Sequence, residues 1–223
     1  MPAGASSRAR ALAVRETRRH RWRLALAATL LVLGGWQFGQ GAFIRAKALL
    51  AQALLQAAWD RTLAGEAHVT PWPWADTWPV ARLDVPSLDI DQLVLAGANG
   101  RTIAFGPGHV FGTAAPGEAG NSVIAGHRDT NLAFLAELQV GSDVRIQRPD
   151  GRWVTYRVQS ALVLDKRDTW VLSGSPATEL TLITCYPFNA WRAGGPQRYV
   201  VRAVATGSAN SVPFHQKTHA GQS

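Results

Sequence analysis

The sequence predicts a mainly β domain, a closed or nearly closed barrel with short helices, set behind an N-terminal transmembrane helix and a helical stalk. Three observations point there. From Val80 onward the chain breaks into short apolar or alternating runs separated by Gly, Pro, Asn and Asp turn signals. Residues 24–44 form 21 positions without a charge, close to the ~20 that a helix needs to cross a bilayer. The formal net charge of +8 is spread very unevenly over the 223 residues.

Residues 1–23 carry seven arginines, at positions 8, 10, 15, 18, 19, 21 and 23, against one acid, Glu16. That places +6 in a tail and leaves +2 for everything after it. A nucleic-acid-binding domain needs its basic residues clustered on a folded surface, so the total supports no nucleic-acid partner. With 47% hydrophobic and 17% charged residues, a wholly disordered or fibrous chain is excluded as well. The uncharged run LALAATLLVLGGWQFGQGAFI follows the arginines directly. Its length and its bulky Trp36, Phe38 and Phe43 oppose a cleaved signal peptide. An arginine block beside an apolar run is the positive-inside signal. The expectation is a single-pass signal anchor in the inner or plasma membrane, in contact with lipid through this helix. The N-terminus would then be cytoplasmic and everything after residue 45 extracytoplasmic, periplasmic in a Gram-negative cell.

The rest of the chain divides by texture. The expected domains are a basic cytoplasmic tail at 1–23, the transmembrane signal anchor at 24–44, a helical stalk and Pro/Trp linker at 45–79, the barrel at 80–205 and a disordered tail at 206–223. In the stalk, Leu49, Leu50, Ala53, Leu54 and Ala57 recur at helical spacing. The linker has prolines 71, 73 and 79 and tryptophans 72, 74 and 78; proline forbids regular structure there, and the tryptophans are expected to cover a face of the domain. Strands are expected at 80–85, 90–95, 121–125, 143–148, 152–164, 180–184 and 198–204, with one helix at 129–139. His215 and His219 in the tail have metal-like spacing, but no cysteine or acid lies near them. No metal and no cofactor is expected.

The only cysteine, Cys185, ends the apolar run LTLITC and precedes Tyr186-Pro187. A lone cysteine is most often a small buried hydrophobe. At a strand end, however, it is rigidly held and open on one side, and a thiolate there is a nucleophile if a base stands nearby. His109 (GPGHV) and His127 (IAGHRDT) are the candidate bases: His127 follows an apolar strand, as Cys185 does, whereas His109 sits in a glycine-rich loop. An acyl-transfer centre also needs a donor for the developing oxyanion, and Arg192 and Arg198 both follow the cysteine closely.

In their order and spacing, these segments resemble the sortase family. TLITC at 181–185 has the form of the sortase active-site strand. GNSVIAGHRDT at 120–130 looks like its histidine region, and PQRYVV at 196–201 like the strand start that carries its arginine. LDVPSLDIDQLVL at 83–95 and GPGHVFGTAAPGEAGN at 106–121 resemble the early strands and loop of the same domain. The resemblance covers roughly 80–205 and implies a closed eight-stranded sortase-type barrel. It implies Cys185 as nucleophile, His127 as general acid/base and Arg198 as oxyanion or substrate-carbonyl donor. It also implies a role for Thr184 in orienting substrate.

The activity so implied is that of a cysteine transpeptidase. It would cut a C-terminal sorting motif of a secreted protein through a thioester and join the new carboxyl end to an amine. The stretch CYPFNAWRAGGPQRYVV looks closest to the proteobacterial sortases, which leaves open both the motif (LPXTG-type in many relatives) and the amine. Two other classes compete: a membrane-tethered cysteine protease for which water is the acceptor, and a catalytically silent barrel serving as an assembly module.

Overall fold

The computed structural model describes residues 5–191 and 194–207. Arg192, His215, His219 and the expected tail from residue 208 lie outside the described residues. The chain divides into two compact units, Met1–Leu50 and Ala51–Ser223. Helix α1, Ala5–Leu63, has no proline within its 59 residues. In the first unit the side chains of Leu30, Leu31, Val32, Leu33, Phe38 and Phe43 are all exposed. Because residues 30–33 step around the helix by about 100° each, the apolar surface covers every side of it.

The expected bilayer-spanning anchor at 24–44 is not supported. Among the described residues no helix is long and apolar enough to cross a membrane. The apolar run Leu24–Leu33 gives way to GGWQFGQG, in which four glycines and two glutamines dilute the hydropathy.

In the second unit the last turns of α1 bury Leu55, Ala58, Trp59 and Thr62, a single stripe at helical spacing. Gln52 donates its Nε2 to Phe105 O at 2.8 Å. The helix ends where Gly65 takes a φ of +99°: its N–H reaches Thr62 O at 3.0 Å and the next N–H reaches Arg61 O at 3.1 Å. Those are the two reversed bonds of a Schellman stop, for which glycine is the natural residue. The Pro/Trp linker then lies against the barrel through Trp72, edge-on to Phe105 at 5.3 Å, and through Trp78 O, which accepts Ala96 N–H at 2.8 Å, while the Trp78 ring packs edge-on to His68 of the same linker at 4.8 Å. Trp74, at 82% exposure, does not join them.

Eight strands close the barrel in the order β1-β2-β3-β4-β7-β8-β6-β5. They are β1 Pro79–Val85, β2 Ile90–Ala96, β3 Gly108–His109, β4 Gly120–Ala125, β5 Asp143–Gln147, β6 Trp153–Asp165, β7 Thr178–Tyr186 and β8 Gln197–Gly207. Alternation fills the interior. Burial is strictly alternate along β1 and β5, and Leu83, Val85, Ile146, Tyr156, Leu180, Leu182 and Val201 meet in one core. Each such apolar side chain contributes about 1.5–3 kcal/mol.

Seven of the strands lie within a few residues of the expected spans. The eighth, β3, is only two residues long and was expected to be loop. Gly108 leaves no room for a side chain: a Cβ there would fall on Gly97 O and 2.9 Å from Ala98 Cα. The helix expected at 129–139 is also corrected. The segment folds as a tight turn, closed by Leu132 N–H to His127 O at 2.9 Å, followed by a 3-10 turn over Ala133–Ala136. Its apolar residues Leu132, Phe134, Leu135 and Leu138 drop into the core instead of lining one helix face.

His109 thus lies in a strand and is buried. Its Nε2–H donates to Ala114 O at 2.8 Å, and Thr113 Oγ1 lies 3.1 Å from the same nitrogen. With His68, Trp78 and Arg148 it lines a cavity of about 560 Å³. Burial holds its pKa below the ordinary value, against the opposing pull of the Ala114 carbonyl. The unfolded chain therefore binds the proton more tightly, and this contribution to stability is present above a pH of about 6.5 and lost as pH falls below it. Urea unfolding between pH 7.5 and 5.5 should show stability declining toward acid, with a shallower decline in His109→Gln.

Candidate active site

Two strands that run in the same direction create the site. β4 and β7 pair in parallel from Gly120↔Thr178 to Ala125↔Ile183, so both arrive at the same end of the barrel. Gly126 N–H carries the ladder one step further, to Ile183 O at 3.2 Å. Cys185 stands two residues beyond the last pair, near the end of β7, and His127 stands two residues beyond it in the loop that leaves β4 at the same end of the barrel. On the other side of β7, Cys185 is paired directly with Arg198 of antiparallel β8. Neighbouring strands lie about 4.8 Å apart. The chain leaving β4 with His127, Cys185 of β7 and Arg198 of β8 thus follow one another in a row around this end of the barrel, with the thiol in the middle.

The row faces outward. Leu180 and Leu182 point into the core, so Thr181, Ile183 and Cys185 point the other way. Cys185 is half-buried, His127 exposed and Arg198 half-buried. The outer face is partly roofed by the segment between β6 and β7. Asn121 Nδ2 holds that segment through Val171 O at 2.8 Å and Ser173 O at 3.1 Å, and is itself fixed by Thr181 Oγ1, which donates to Asn121 Oδ1 at 2.7 Å. Beneath the roof, Ile183, Val200, Leu172 and Arg198 line a recess of about 130 Å³. Arg198 directs Nη1 at Gly195 O and Gln197 O, both at 2.8 Å.

Thr184 has a different place from the one the sequence implied. Its side chain points inward, is 2% exposed and donates Oγ1 to Gly126 O at 2.8 Å. It does not face the outer surface where Cys185 stands. What it does is tie the residue before the cysteine to the residue before the histidine.

His109, the other candidate base, is opposite Ile124 in β3, and its ring is held by the 113–114 turn. Arg198 has a register opposite the thiol; Arg192 lies outside the described residues. Among the described residues no group of three His, Cys, Asp or Glu is arranged to hold a metal.

Sequence reasoning missed Arg128. It is 5% exposed, yet its guanidinium reaches Pro187 O at 2.9 Å and Ala190 O at 2.7 Å, in the turn directly after the cysteine. An arginine next to a candidate histidine carries no periodic signal, and nothing in the chain announced that it turns inward.

If Thr184 joins the two strand ends, Thr184→Val leaves Gly126 O buried without its donor and should lower unfolding free energy by about 1–3 kcal/mol. Thr184→Ser should keep most of it. Chemical denaturation of the two variants checks this.

The comparisons with known proteins agree with this geometry. A family model for the sortase domain matches residues 83–206. A curated sortase D of Bacillus subtilis is 31% identical over 120 residues, which is 53% of this chain and 60% of that protein; the match thus spans less than two thirds of the relative's length. A sortase D5 of Clostridium perfringens, described as a transpeptidase, superposes with a TM-score of 0.56 at 25% identity, covering 71% of this chain and 99% of that one. The catalytic domain of SrtD from B. anthracis does so with a TM-score of 0.52 at 31% identity, covering 60% and 90%. These relatives do not test the likeness to proteobacterial sortases. With its closed eight-stranded barrel, its Cys185–Arg198 register and a family match over more than half its length, the chain belongs to the sortase family.

Proposed function

We propose that the chain is a cysteine transpeptidase that cleaves a sorting motif near the C-terminus of secreted proteins and transfers the new carboxyl end to an amine. The observation that carries the reading is the pairing of Cys185 with Arg198 on adjacent strands, with the exposed His127 in the loop that leaves the strand on the other side of β7. The Cys185 thiolate attacks the scissile carbonyl, and Arg198 donates to the oxygen as it gains charge, exchanging a loop carbonyl for the substrate. Protonated His127 gives its proton to the departing amine as the C–N bond breaks, which leaves a thioester on Cys185 and a neutral imidazole. An incoming amine then attacks the thioester, His127 takes up the proton it sheds, and the thiolate departs. The recess beside Ile183 and Val200, with Arg198, Asp165 and Asp168 also on its wall, offers a seat for one substrate side chain.

The expected location belongs to the same reading: attachment to the cell membrane with the barrel outside the cytoplasm. Two features support it, the arginines of residues 8–23 and the exposed apolar side chains of Leu24–Ile44. Fractionation of cells should recover the full chain with the membrane and release it with detergent; recovery in the soluble fraction at low salt would remove the proposal.

The activity is tested by intact mass spectrometry after incubation with pooled LPXTG-type peptides, with and without triglycine. An acyl adduct on Cys185 that triglycine discharges into a joined product is the expected result. Hydrolysed product alone, whatever amine is offered, would show a protease. Cys185→Ala should form no adduct. His127→Ala should lose most turnover, and Arg198→Ala should lose about 10²–10³-fold in kcat, the usual cost of removing an oxyanion donor.

A further inference from the structure

Arg128 combines two properties that rarely occur together. It follows the exposed His127 directly, yet its own side chain is only 4% exposed. A buried guanidinium is costly unless its donors are matched, and here the acceptors are specific: Nη1 to Pro187 O, Nη2 to Ala190 O, and Nε to Asp129 Oδ1 at 3.2 Å. Pro187 and Ala190 belong to the turn that leaves Cys185. The planar fork of arginine can serve two carbonyls at once, which the ammonium of a lysine does with less geometric control.

The far end of the same β7–β8 segment is held at Gly195 by Arg198, and Pro196 O accepts Lys166 N–H at 2.6 Å. Its barrel side is held separately by the packing of Tyr186, Phe188 and Tyr199, with ring centroids 5.1–6.0 Å apart. The turn 187–190 therefore has two independent attachments, an aromatic one to the barrel and a charged one to the histidine-bearing turn.

We infer that Arg128 is a positioning residue for acyl transfer: it fixes the turn 187–190 against the turn 127–132, so that the rim beside Cys185 and the imidazole of His127 hold one relative geometry. The inference rests on the transpeptidase reading for its kinetic consequence, and on hydrogen bonds alone for its structural one. Because the aromatic packing persists without Arg128, the loss is local. A rim that is correctly placed only part of the time lowers apparent substrate affinity by that fraction.

The test uses the full chain with Arg128→Met and Arg128→Lys. Hydrogen–deuterium exchange should rise at least about tenfold at amides 188–191 in Arg128→Met, with a smaller rise in Arg128→Lys. With the peptide that acylates wild-type Cys185, Arg128→Met should raise KM about tenfold with a smaller change in kcat. Arg128→Lys should recover part of that loss. Alkylation of Cys185 by iodoacetamide from pH 5 to 9 should keep the wild-type profile, since the thiol and its own strand are untouched.

Unchanged exchange at 188–191 in Arg128→Met would overturn the inference. So would a loss shared equally by peptide turnover and by alkylation at every pH with no recovery in Arg128→Lys, which would make Arg128 part of the general fold. If no peptide or amine reacts at wild-type Cys185, the transpeptidase reading falls, while exchange and alkylation still decide whether Arg128 positions the turn.

Discussion

The parallel pairing of β4 with β7 is the constraint on which the site depends. An antiparallel pair would send the two chains toward opposite ends of the barrel, and the histidine and the cysteine would part by the length of the strands. Because the pair is parallel, one register decides where both chains emerge: Ala125 opposite Ile183 brings the loop that carries His127 to the end of β7 where Cys185 stands. A parallel connection needs a long crossover, and the chain supplies it with β5 and β6, which close the barrel between β8 and β1.

That register is protected where it matters most. Thr184 and Gly126 join the strand ends from the inside, Gly126 N–H continues the ladder, and Arg128 joins the loops just past them. Three attachments lie within three residues of the reactive row, made of backbone and buried side chains. The reacting groups themselves are left half-buried or exposed. Rigidity comes from beneath and beside the row, and access comes from above it.

Much of this was legible in the sequence. Seven strands announced themselves because their apolar residues alternate and Gly, Pro and Asp punctuate the gaps, as LTLITC and RYVVRAV illustrate. Cys185 and His127 could be singled out because each ends such a run. What stayed hidden was of three kinds. Strand β3 is too short to have a period. The segment 129–139 has a helical composition, yet its leucines are drawn one by one into the core. Thr184 and Arg128 act through hydrogen bonds to backbone carbonyls 58 to 62 residues away, and no local pattern encodes such a partner. The uncharged run at 24–44 shows the opposite error: absence of charge resembles apolarity until the glycines and glutamines within it are weighed.

The alternation along β7 has a consequence for how such a protein can vary. Ile183 and Cys185 point to the outer face of the sheet, with Thr181 on the same side sealed beneath the covering segment, whereas Leu180, Leu182 and Thr184 look in on the core and its ties. The barrel need not open to admit a substrate, since nothing reacts in its interior. Recognition can therefore be rewritten on the outer face and in its two covering segments while the folding core is left alone, and the core can be strengthened without touching what the surface recognises. Adjacent positions on a single strand answer to different selective demands.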